Sequence, residues 1–174
     1  MLQLRVQWKV LYMCQVNRLV SVFLLGDNID TDNIAPGGYL HLPIEKQVEH
    51  CLESVINNFS GKVTGGDIII AGENFGTGSS REQAPVLLRT IGIQAVFARS
   101  FSRLFFRNSI NVGLYPGIYN GHVPFSNMEN VEIDFEHCKI ESKNGIILFE
   151  PPTGILKEIL DSGGMVNYAR KMIE

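Results

Sequence analysis

Ser79, Ser80 and Arg81 close a glycine-rich stretch, Gly72-Glu73-Asn74-Phe75-Gly76-Thr77-Gly78-Ser79-Ser80-Arg81-Glu82, which follows the apolar run Ile68-Ile69-Ile70-Ala71. A helix-like pattern comes next, so the order is strand, turn and helix start. The glycines permit positive φ and close approach of backbone. Unpaired N–H groups and the positive end of a helix dipole draw anions to such a place. A carboxylate-bearing substrate suits it, because the Arg81 guanidinium can grip a carboxylate through two parallel hydrogen bonds. A serine is a poor base at neutral pH. Here the surrounding N–H donors would stabilise its alkoxide, the form able to remove a proton.

Each of these residues also has a plainer use. Ser79 and Glu82 fit the S-x-x-E capping box. Pro85 conflicts with Ser79 as the cap, since it would then lie beyond the first turn and cost a backbone hydrogen bond. The alternative is a separate turn over 79–84, with the regular helix starting at Pro85. Arg81 can be an ordinary solvated side chain. The turn has no Walker lysine and no acidic residue at Rossmann spacing, so nucleotide binding is not expected. Asp27, Asp30 and Asp32 lack the glycine and glutamate of a calcium loop. They suit turn hydrogen bonds, or one of them orients a histidine or other polar group on a partner chain. His41, at the end of Gly37-Gly38-Tyr39-Leu40, is the histidine placed to matter. His50, His122 and His137 look like surface or helix positions.

Around these residues the hydrophobic pattern sets the elements. Leu19 to Leu25 predicts a strand ending at Gly26-Asp27, and Asp27 to Gly38 an ordered polar loop. Val48, Cys51/Leu52, Val55/Ile56 and Phe59 recur at three and four, which predicts an amphipathic helix from Ile44 closed by Ser60-Gly61. The helix after the glycine turn runs through Val86-Leu87-Leu88 to Gly92. Ala95–Ala98 predicts a buried strand and Ser102–Asn108 a short helix. Val131, Ile133 and Phe135 alternate, as do Ile147 and Phe149, which predicts a hairpin with an Asn144-Gly145 turn. Thr153–Ile173 is helical with a break at Gly163-Gly164. The fold class is α/β with a β-rich later half, one domain over 20–174 and an extension over 1–19.

At 174 residues and 45% hydrophobic content the chain can bury a core. A net charge of −3 without any long basic run argues against a nucleic-acid partner. The three cysteines, Cys14, Cys51 and Cys138, form no C-x-x-C pair. Neither a disulfide framework nor a metal site follows from this chain alone, which points to the reducing cytoplasm. In 1–19, Arg5, Lys9 and Arg18 interrupt the apolar residues, so neither a membrane span nor a signal peptide is expected. That stretch reads as a flexible or accessory extension, or as sequence upstream of an internal start at Met13.

Taken together, Asp30-Thr31-Asp32-Asn33-Ile34-Ala35-Pro36-Gly37-Gly38-Tyr39-Leu40 and Asn74–Glu82 closely resemble the small subunits of 3-isopropylmalate dehydratases, in which the aconitase swivelling domain is a separate chain. The likeness spans about Val20 to Asn120 and includes Ala98-Arg99-Ser100-Phe101 and Asn111-Val112-Gly113-Leu114-Tyr115-Pro116. It implies a swivelling β/β/α domain of the aconitase type, capping a large subunit that holds a [4Fe–4S] cluster, in a heterodimer or a higher assembly. By that resemblance Ser79 is the base for the carbon-bound proton. Arg81 holds a substrate carboxylate, Ser80 is its hydrogen-bonding neighbour, and Asp32 pairs with a histidine of the cluster-bearing part. His41 and Leu42 then face the substrate's variable group. The implied reaction is dehydration and rehydration of a malate derivative, 2-isopropylmalate to 3-isopropylmalate in leucine synthesis. Leu42 suits an isopropyl group, whereas a protonated His41 suits a third carboxylate. A homoaconitase-like or methylmalate-type dehydratase is therefore the alternative, and a stand-alone dicarboxylate-binding module is the reading from a different class. Thr77 and Gln83 depart from the family pattern, where Cys or Ile and His are common; both flank the site without supplying its base.

Overall fold

The computed structural model describes residues 19–173, so the expectations about 1–18 lie outside the described residues. Seven strands close into a barrel: β1 (Leu19–Leu24), β2 (Ile68–Ala71), β3 (Ala95–Ala98), β4 (Tyr115–Tyr119), β5 (Asn130–Asp134), β6 (Lys139–Ser142) and β7 (Gly145–Glu150). Around the barrel the order is β1-β2-β3-β4-β7-β6-β5. The first four strands are parallel; β4 meets β7 antiparallel, and β7, β6, β5 and β1 continue antiparallel. Parallel neighbours need crossovers. These carry α1 (Thr31–Ile34), α2 (Ile44–Gln47) and α3 (Phe59–Lys62) between β1 and β2, α4 (Gln83–Ile91) between β2 and β3, and α5 (Arg103–Asn111) between β3 and β4. Helices α6 (Ile155–Asp161) and α7 (Met165–Ile173) follow β7, separated by Gly163-Gly164 as expected.

Two buried clusters explain the sequence pattern. One draws on all seven strands, including Val22, Ile68, Ile70, Phe97, Tyr115, Ile133, Ile140 and Phe149, and so fills the barrel. The other takes the opposite faces of β1, β2 and β3, with Phe23, Ile69, Val96 and Ala98, and packs them under Leu87, Leu88 and Phe105 of α4 and α5. Strands β2 and β3 are thus covered on both faces, which is why they read as continuous apolar runs rather than alternations.

Three expectations need correction. The helix from Ile44 to Phe59 does not form: α2 gives way to a 3₁₀ turn at Val48–His50, then to turns, before α3. Cys51 turns extended (ψ 125°), and Leu52 and Asn58 both adopt φ of +53°, which no right-handed helix accommodates. Cys51, Leu52 and Phe59 still reach the core while Val55 is exposed, so the helical spacing reflects mainly the burial of these side chains. Ser60 and Gly61 lie inside α3 instead of closing a helix. The 131–149 region is a three-stranded meander, because Lys139–Ser142 forms a strand between the two expected ones; the Asn144-Gly145 turn joins β6 to β7. Strand β4 was hidden by Pro116 and Gly117. Its glycine is a matter of space, since a Cβ at 117 would lie 2.6 Å from the Phe97 ring.

Candidate active site

The parallel strands deliver two loops side by side at the carboxyl ends of β1 and β2, residues 25–35 and 72–81. Backbone hydrogen bonds lace them together: Asn28 donates to Glu73, Gly76 to Ile29, and Thr31 to Thr77. Asp27 adds a side-chain acceptor for the Glu73 N–H at 2.8 Å. A third segment, just after β3, buttresses the turn. Ser100 accepts from the Asn74 N–H (2.8 Å) and donates to Glu73 Oε2 (2.6 Å), and Ser102 donates to the Gly76 carbonyl (2.6 Å). Ser102 also caps α5 by accepting from the Phe105 N–H. From below, Tyr119 donates to the Ala71 carbonyl at 2.9 Å, and burial pushes its phenol up from the ordinary value.

Gly76 is packed directly against α5 in this scaffold. Its φ is +73°, and a Cβ there would run into the Phe105 ring. Gly76→Ala is expected to destabilise the fold by about 3 kcal/mol or more, from overpacking plus backbone strain. Gly38→Ala, where nothing lies within 4 Å of the added carbon, should change stability by less than about 1 kcal/mol. Denaturant midpoints of the two variants check this, and equal losses would refute the packing argument.

Helix α4 begins at Gln83, with Glu82 as an N-cap that makes no side-chain hydrogen bond. The capping box is therefore absent, and 79–82 is a separate turn in which the Arg81 N–H donates to the Ser79 carbonyl at 2.8 Å. Pro85 falls in the helix's first turn, where a missing N–H costs nothing. Ser79 and Ser80 are exposed just ahead of that uncapped helix end. Arg81 is more enclosed, and its position is fixed by Nη1, which donates to Asp32 Oδ1 (2.5 Å) and to the Ala35 carbonyl (2.9 Å).

The structure thus joins Asp32 of α1 to Arg81 across the two motifs. Asp27 and Asp30 do the turn chemistry: Asp30 caps α1 through the Asn33 N–H, and the Asn33 side chain returns the bond. Asp32 remains 60% exposed, so part of its carboxylate stays accessible. Among the described residues, Arg81 Nη2 and Nε have no hydrogen-bond partner, and a Cβ at Gly37 would approach Nη2 to 3.5 Å. A side chain at 37 would therefore begin in ordinary van der Waals contact with the guanidinium. His41 is exposed and Leu42 half-buried on the loop that continues from Gly37; among the described residues no hydrogen bond joins either to Arg81.

Sequence reasoning missed the supports of this loop. Gln47, 7% exposed, and His50, stacked on Tyr39, both lie where the pattern read as an ordinary amphipathic helix. The roles of Ser100, Ser102 and Tyr119 were missed as well, since all three bond across distant parts of the chain.

Comparison with known proteins decides the family. The model of the aconitase C-terminal domain matches residues 27–119, the span that holds both motifs. The chain is also 44% identical over 155 residues to 3-isopropylmalate dehydratase small subunit 1 of Thermotoga maritima, covering 86% of this chain and 93% of that one.

The chain belongs to the aconitase C-terminal domain family.

A methanogen homoaconitase small subunit from Methanocaldococcus jannaschii is 47% identical over 148 residues, covering 84% of this chain and 87% of its own. A crystal structure of a 3-isopropylmalate dehydratase from the same organism superposes with a TM-score of 0.84 at 45% identity, covering 89% of this chain and 94% of that one. The barrel with flanking helices is accordingly the aconitase C-terminal fold.

Aconitase-type chemistry implies an iron–sulfur cluster, which needs several converging thiolates. The described cysteines do not fit one. Cys51 is sealed in the outer cluster, where burial raises its thiol pKa, and Cys138 sits against the barrel cluster. Among the described residues no group of three or more His, Cys, Asp or Glu side chains could hold a metal ion.

Proposed function

We propose that this chain is the small subunit of a 3-isopropylmalate dehydratase, a hydro-lyase that interconverts 2-isopropylmalate and 3-isopropylmalate by removing and re-adding water. One observation carries it. Ser79 and Ser80 are exposed at an uncapped helix start, and the half-buried Arg81 is anchored through Nη1, with no hydrogen-bond partner at Nη2 or Nε among the described residues. That is a carboxylate grip beside a candidate base, in a chain whose family performs this chemistry. A large subunit supplies the cluster in this reading, which the relatives named as small subunits support. The cytoplasm is the proposed compartment; free Cys51 and Cys138 suit it, and no helix among the described residues is long and apolar enough to cross a membrane.

In this reading Arg81 receives a substrate carboxylate on Nη2 and Nε, while Asp32 and the Ala35 carbonyl hold the fork rigid. Fixing the carboxylate orients the adjacent C–H toward Ser79 Oγ, which takes the proton. The helix start and Arg81 favour the anionic species involved. Ser80 supplies a further hydrogen bond. The remaining accessible part of Asp32 is available to a histidine of the large subunit.

The deciding experiment mixes this chain with a reconstituted cluster-bearing large subunit and follows unsaturated-acid formation from 2-isopropylmalate, citramalate, homocitrate and citrate. Turnover confined to isopropylmalate supports the reading. Preference for homocitrate favours the homoaconitase-like alternative, which the exposed His41 motivates. Silence with every substrate, with no complex formed, favours a dicarboxylate-binding module. His41→Val and His41→Arg are expected to move the isopropylmalate-to-homocitrate ratio of kcat/KM in opposite directions, by about tenfold each. Unchanged ratios in both variants would remove His41 from substrate selection.

A further inference from the structure

The loop bearing His41 and Leu42 is held by two independent devices. Gln47 Nε2 donates to the Leu42 carbonyl at 2.7 Å and reaches the Leu40 carbonyl at 3.4 Å. His50 stacks face to face on Tyr39, with ring centroids 3.5 Å apart and planes within 7°. The His50 ring is held at its edge by Glu53, whose Oε2 lies 2.7 Å from Nδ1. Leu40 packs against the outer core cluster, His41 faces solvent, and Leu42 is half-buried without joining either cluster. The loop therefore presents His41 and Leu42 from a backbone pinned on both sides of them.

Gln47 bears a cost for this. Its amide must turn the NH₂ group toward the two carbonyls, which leaves Oε1 buried with no hydrogen-bond partner. A leucine of similar volume would escape that penalty. What the amide supplies is the position of the two carbonyls.

We infer that Gln47 and His50 are positioning residues for substrate selection. They set where His41 and Leu42 stand and hence which side group on a malate-type substrate is accepted. The inference rests on the dehydratase reading above.

Two readouts on Gln47→Leu, His50→Ala and His50→Phe test it. In the full chain alone, amide hydrogen exchange is followed at Tyr39, Leu40 and Leu42, whose N–H groups donate within the loop. In the assembled enzyme, kcat/KM is compared for 2-isopropylmalate, citramalate and homocitrate. Gln47→Leu and His50→Ala should speed exchange at these amides and shift the substrate ratio by about three- to tenfold, the worth of one lost hydrogen bond or ring contact. The shift should come through KM, with kcat on the preferred substrate within about threefold of the parent. His50→Phe keeps a ring over Tyr39 and should return the ratio toward the parent value.

Unchanged ratios in folded, active variants overturn the inference while leaving the dehydratase reading intact. Should Gln47→Leu not fold, the two His50 variants decide alone, and equal ratios in both of them also overturn it. A parent enzyme silent on the whole panel instead overturns the dehydratase reading, and the selection role falls with it.

Discussion

Alanine at Ser79 is expected to lower kcat of the assembled enzyme by about 10²–10⁴-fold, the span attributed to a positioned acid–base group. Substrate affinity should be nearly unchanged, because the proposed carboxylate grip, Arg81 and Ser80, is left in place. Ser79 is exposed and makes no cap for α4, so its truncation should change folding stability by no more than about 0.5 kcal/mol. That separation gives the experiment its force: a loss of turnover without a loss of fold or binding assigns the defect to the proton transfer. Ser80→Ala, one residue along the same turn, serves as the comparison and should cost about tenfold, consistent with one hydrogen bond to substrate. The measurement is steady-state turnover with a binding assay on the same preparations. A kcat for Ser79→Ala within tenfold of the parent, or a larger loss at Ser80, would transfer the base to another group.

The glycine turn was legible because its chemistry is local. Three glycines, two serines and an arginine between an apolar run and a helix pattern define strand, turn and helix start without help from the rest of the chain. The same locality made β1, β2, β3, α4 and α5 readable, since each announces itself by burial or by a cap such as Ser102. The misread helix at 44–59 shows the limit. Apolar residues three and four apart reach the same core when the chain runs through 3₁₀ turns and two positive-φ residues. Hydrophobic spacing reports which side chains are buried and only indirectly how the backbone carries them there. Strand β6 was invisible for the opposite reason, because Ile140 is its only buried residue.

The candidate site was partly legible for a related reason. Ser79, Ser80 and Arg81 could be named from their types, but the partner of Arg81 could not. Asp32 stood among three aspartates that all suit turn hydrogen bonds, and only the pairing of the two loops gives it to Arg81 while leaving Asp27 and Asp30 to the backbone. Gln47 and His50 were missed because their partners are backbone carbonyls and a ring brought close by an irregular segment. No residue-type pattern encodes such contacts.

Arg81→Lys should be nearly as damaging as the loss of Ser79, although it preserves the charge. An ammonium cannot bind Asp32 and the Ala35 carbonyl with one arm while offering two parallel donors to a carboxylate with the rest. The expected result is a fall of about 10²–10³-fold in kcat/KM, carried by both a raised KM and a lowered kcat, because the substrate would be held less tightly and less squarely. Folding cannot account for a drop of that size. The Arg81–Asp32 pair leaves Asp32 60% exposed, and a pair of that kind contributes about 0–1 kcal/mol to stability, whereas a hundredfold loss corresponds to about 2.7 kcal/mol. Asp32→Asn should lie between the parent and Arg81→Lys, since it weakens the anchor but leaves the fork. If Asp32 acts through Arg81, the double variant should lose no more than about threefold beyond Arg81→Lys alone. Fully additive losses would instead give Asp32 a separate task, such as contact with the large subunit. The kinetic cycle over the four proteins, read with denaturation midpoints, distinguishes an anchor for arginine from an independent group.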